Sequence, residues 1–112
     1  MRLSQRTRAL LQDPENEIFL SAASSWEIAI KHALGKLPLP VPPMEYVLSR
    51  METSGTAPLP VQHSHALQAG SLPRHHADPF DRLLIAQAQL ENLQILTADG
   101  QFAAYEVGLL SP

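Results

Sequence analysis

Three aspartates crowd the stretch ADPFDRLLIAQAQLENLQILTADG, residues 77–100. Asp78 and Asp81 stand three apart at the head of an apolar, alanine-rich run, and Asp99 follows a short β-like segment. Carboxylates gathered at the ends of adjacent elements repel one another unless something offsets their charge. The free N–H groups of helix starts and turns do so, because they favour acidic side chains. A divalent cation does so more strongly, because hard cations take oxygen ligands.

Each acid has a structural explanation when taken alone. Asp78-Pro79-Phe80-Asp81 reads as an N-cap, a proline at the first helical position and an acid in the first turn. A fourth acid, Glu27, completes the S-x-x-E pattern of Ser24-Ser25-Trp26-Glu27, a capping box. Asp99 in Ala98-Asp99-Gly100 suits a turn. Taken together the acids favour a ligand. Glu27 follows the C-terminal end of one expected strand and Asp99 the end of another. In a parallel sheet those ends share the edge where ligands bind. Asp78 and Asp81 open the helix leading into the second strand. That sets them nearer the strand's opposite end, unless a long loop turns the helix.

The elements that must position these acids are legible from patterning. Residues 3–12 predict a short amphipathic helix, stopped by the turn Asp13-Pro14-Glu15-Asn16. Glu17–Ala22 predicts a buried strand, and Ser24 opens a helix that runs to Gly35. A proline-rich linker, 36–41, precedes a helix begun by Pro42-Pro43 and ended near Gly55. Ala57–Val61 is β-like, and His63–Ala69 is a short helix ending at Gly70. Residues 71–77 form a loop, and Asp78–Glu91 is the longest helix. Leu93–Thr97 is a strand, Gln101–Tyr105 a helical turn and Val107–Leu110 a last strand. Strands alternating with helices predict an α/β fold with a mostly parallel sheet, in one domain over 1–112.

Composition sets outer bounds. The 112 residues are 45% hydrophobic, enough for a core and too many for a disordered chain. The 10 prolines fall mostly in 38–43, 58–60 and 73–79, so they punctuate elements instead of breaking them. Zero cysteines exclude disulfides and thiolate metal sites. No run approaches the ~18 apolar residues of a membrane span, and the start lacks the apolar region of a signal peptide. A cytoplasmic protein is the expectation. The net charge of −3 does not recommend a nucleic-acid partner. Setting aside Glu27, Asp78, Asp81 and Asp99 leaves seven acidic residues against eight Lys and Arg, so a cation on those four removes the acidic bias.

Three segments carry a family resemblance: FLSAASSWEIAIKHALGKLPLP (19–40), SLPRHHADPFDRLLIAQA (71–88) and ILTADGQFAAY (95–105). The chain resembles the PIN domains, and among them the VapC-type toxins of bacterial toxin–antitoxin modules. The resemblance implies a PIN-like α/β/α sandwich whose acids gather at one sheet edge and bind Mg²⁺ or Mn²⁺. It implies an endoribonuclease acting on RNA, silenced by a cognate antitoxin, and a homodimer. By the resemblance, Glu27, Asp81 and Asp99 are catalytic metal ligands, with Asp78 bordering the metal. The family's opening strand and its first aspartate have no counterpart here, since the chain begins at the segment MRLSQRTRALLQDPENEIFLSAAS and has no acid before Asp13. With that N-terminal strand absent, its neighbours are expected to have unpaired backbone groups and hydrolysis to be weak or lost. A chosen start too far downstream, a strand from another chain, or a degenerate toxin would each account for this.

The rival reading is a non-catalytic, degenerate PIN module that only binds an antitoxin or itself. Several further residues have two readings. His75 and His76 are a loop pair, or contacts to metal or RNA. His63 and His65 belong to the polar side and cap of a short helix. Trp26 is a core or antitoxin-interface residue, with base stacking as a further reading. Arg82 contacts phosphate or pairs with an acid, and Lys31 pairs with Glu27 one turn away or touches RNA. Leu83, Leu84, Ile85, Ala86 and Ala88 are core candidates.

Overall fold

The structure is a computed structural model that describes residues 5, 9, 12–73, 78–96 and 108–110. In chain order its elements are β1 (Phe19–Ser21), α1 (Ala22–Ala33), α2 (Pro43–Ser54), β2 (Ala57–Leu59), α3 (His63–Ser71), α4 (Pro79–Glu91), β3 (Gln94–Leu96) and β4 (Gly108–Leu110). The expected alternation of strands and helices is present, and all strand pairing is parallel among the described residues. The helical turn expected over Gln101–Tyr105 lies outside them. Of the expected first helix, Gln5, Ala9 and Gln12 are described, and each is helical and exposed. It ends at the expected turn, where Asp13 Oδ1 accepts the Glu15 N–H at 2.9 Å and Asp13 O accepts the Asn16 N–H at 3.0 Å. The chain divides into two compact units, 17–60 and 1–16 with 61–112.

In the unit of residues 17–60, β1 pairs with β2 in the register Phe19↔Ala57, Leu20↔Pro58, Ser21↔Leu59. Pro58 has no N–H to give, which suits β2 to a sheet edge. The strand runs straight into α1 because Ser21 is itself the N-cap, its Oγ accepting the Ala23 N–H at 3.1 Å. This corrects the expected capping box. With the cap supplied by Ser21, Ser24 and Glu27 are interior helical residues. Helix α1 closes in a Schellman turn: Lys36 N–H donates to Lys31 O (2.9 Å) and left-handed Gly35 to His32 O (3.0 Å). His32 Nδ1 donates to Leu37 O at 3.0 Å and holds down the start of the proline-rich linker. Helix α2 begins at Pro43 and ends at left-handed Gly55, as its proline pair and glycine predict. Buried Ala23 and Val47 mark the helix faces turned inward.

In the other unit, α3 packs against α4, and α4 leads through Asn92-Leu93 into β3. Asn92 adopts the left-handed conformation (φ 54°) and Leu93 N–H donates back to Ala88 O at 2.9 Å. Strand β3 pairs with β4 in the register Gln94↔Gly108, Ile95↔Leu109, Leu96↔Leu110. The core candidates Ile85, Ala86 and Ala88 are buried, whereas Leu83 and Leu84 are half-buried. Gly70 lies inside α3, which runs on to Ser71. Among the described residues no helix is long and apolar enough to cross a membrane.

Candidate functional site

Asp78 and Asp81 are placed by the start of α4. Asp78 is the N-cap, its Oδ1 accepting the Phe80 N–H at 2.9 Å, and Asp81 lies in the first turn behind Pro79. Two carboxylates three residues apart on one helix end are neighbours in space. The positive end of the helix dipole and its unpaired N–H groups offset part of their repulsion.

A short turn through left-handed Asn92 joins α4 to β3, and the two elements are in contact. Asp99 comes three residues after Leu96 in sequence but lies outside the described residues. His75 and His76 also lie outside them.

Glu27 stands on α1, roughly 9 Å of helix rise beyond the cap at Ser21. Its carboxylate is half-buried and meets Lys31 Nζ at 3.8 Å, the i,i+4 pair expected of Lys31. An exposed pair of this kind contributes only about 0.3–0.5 kcal/mol, so it holds Glu27 lightly. Trp26 is not a core residue, being 62% exposed on the same helix.

Among the described residues no three His, Cys, Asp or Glu side chains form a group that could hold a metal ion. Asp78 and Asp81, and Glu27 in the other unit, each offer hard carboxylate oxygens, the donor type that Mg²⁺ and Mn²⁺ take.

Two features went beyond the sequence reading. His65 is not on the polar side of α3 but fully buried. Its Nδ1 accepts the Gln62 N–H at 3.0 Å, completing a capping box in which Gln62 caps the third helical residue in return. Its Nε2 donates to Glu91 Oε1 at 2.8 Å, tying α3 to the end of α4. The buried Gln87 amide lies 3.4 Å from Nδ1. The expected place of His65 in the cap of α3 is borne out, and Gln62-x-x-His65 has the spacing of a capping box. The other feature is Arg82, which forms no ion pair among the described residues and has a buried Nε without a hydrogen-bond partner.

The PIN domain family model matches residues 2–108. Ribonuclease VapC16 of Mycobacterium tuberculosis is 59% identical over 59 residues, a match covering 53% of this chain and 42% of that protein. The chain thus matches less than half the length of this relative. No solved structure matches. With the family match spanning nearly every residue and α4 opening on the paired aspartates, the chain belongs to the PIN domain family.

Proposed function

We propose that the protein is the toxin of a VapC-type toxin–antitoxin module, a metal-dependent endoribonuclease held inactive by a cognate antitoxin. The observation carrying this reading is the ADPFDR opening of α4, which sets Asp78 and Asp81 together at one helix end in a chain similar to a ribonuclease. Glu27, Asp78, Asp81 and Asp99 hold a divalent cation, Mg²⁺ or Mn²⁺, and Glu27, Asp81 and Asp99 are the catalytic set. The ion, when bound, activates a water molecule and neutralises charge on the attacked phosphate.

The protein's own residues supply charge and position. Asp81 and Asp99 present carboxylates that no thiolate or amine displaces. Asp78 combines two tasks, since a carboxylate has about four lone-pair sites and its cap bond uses one. Glu27, held only lightly by Lys31 at 3.8 Å, would be able to give up that pair for a divalent cation, leaving Lys31 to solvent or RNA. The protein acts as a homodimer. Exposed Trp26, Met44 and Leu48 on α1 and α2 supply apolar surface of the kind that covers itself with antitoxin or a second copy.

Incubation of end-labelled RNA with Mn²⁺ tests the reading. Internal cleavage by the wild-type protein is expected to be weak, and to vanish with Asp81→Asn or with EDTA. Cleavage that persists in Asp81→Asn or in EDTA refutes it.

A further inference from the structure

An acidic site that acts on RNA must still attract a polyanion. The described part of α4 carries one cation, Arg82, the residue after Asp81 and one helical turn beyond Asp78. Two nearby carboxylates would ordinarily claim a guanidinium, yet Arg82 forms no ion pair among the described residues. Its backbone N–H is spent on Asp78 O at 3.1 Å as part of the helix. Its side chain is half-buried, and Nε is shut away from water without an acceptor.

That combination is unusual, because a guanidinium keeps its charge at any physiological pH and presents a fixed fork of donors. A buried donor on a charged group is costly to leave unpaired. The two Nη groups of the same guanidinium can offer an anion two donors side by side, which fits a phosphate with two oxygens. Resting on the ribonuclease reading above, we infer that Arg82 binds a backbone phosphate of the RNA beside the aspartates of α4. It is an RNA-positioning residue and not a metal ligand. Lys31, more than half exposed and already paired with Glu27, is a weaker candidate for this task.

The test is equilibrium binding of a 2′-O-methyl oligoribonucleotide, which cannot be cut, followed by fluorescence anisotropy across a KCl series with Ca²⁺ present. Arg82→Gln is expected to weaken binding roughly tenfold and to lower the salt slope by about 0.7, the value for one lost contact to a single strand. Arg82→Lys keeps the charge without the fork, so it restores the slope but not the full affinity. Mn²⁺ titration of RNA-free Arg82→Gln should match wild type, and its melting curve should show an intact fold. Wild-type affinity and slope in Arg82→Gln, with the wild type binding RNA, overturn the inference and leave the ribonuclease reading standing. Wild-type protein that binds no RNA removes both together. Should Arg82→Gln fail to fold, Arg82→Lys decides alone: unchanged affinity refutes the bidentate contact.

Discussion

Asp78 Oδ1 accepts the Phe80 N–H at 2.9 Å, so substitutions there can divide capping from cation binding. Asparagine caps as well as aspartate, whereas alanine does not. Asp78→Asn should therefore keep the wild-type melting temperature while weakening Mn²⁺ binding. Asp78→Ala should lose the metal contact and also about 1 kcal/mol of stability. Equal Mn²⁺ isotherms for wild type and Asp78→Asn would show that Asp78 is only a cap. His65 serves structure alone. Fully buried and bonded to Gln62 and Glu91, it joins the start of α3 to the end of α4. His65→Ala removes a ring and a cap bond together and should cost about 2–4 kcal/mol in urea unfolding. A loss below about 1 kcal/mol would contradict this role.

Among the elements, helix ends were the most legible features. Proline pairs, Asp78 and Gly55 mark their boundaries through local backbone chemistry, and the structure places them where those residues predict. The start of α1 was misread because two cap signals overlap. Ser21 and Ser24 are both good N-caps, and only the strand leading into Ser21 decides between them. The turn after α4 carries no glycine to announce it, because its left-handed residue is Asn92. Substitutions at that turn test its importance. Asn92→Gly should preserve stability within about 0.5 kcal/mol, while Asn92→Val should cost about 1–2 kcal/mol because a β-branched residue resists positive φ. Equal stability of the two variants would show that the turn does not need a left-handed residue. The burial of His65 was invisible because a polar ring at helical spacing reads as surface until its partner, Glu91 on another helix, is known.

For the whole molecule, family membership was legible because three motifs recur in order along nearly the entire chain, and the family match spans residues 2–108. That acids as distant in sequence as Glu27 and Asp81 share a task is proposed through that likeness, since each alone has a local structural explanation. The account stands on these acids serving one cation, and a Mn²⁺ titration followed by electron paramagnetic resonance measures that most directly. The account predicts one Mn²⁺ per chain in the wild type, with Glu27→Gln and Asp81→Asn each weakening it by at least about tenfold, or 1.4 kcal/mol. Wild-type Mn²⁺ affinity in either variant would contradict it and return that acid to its helix.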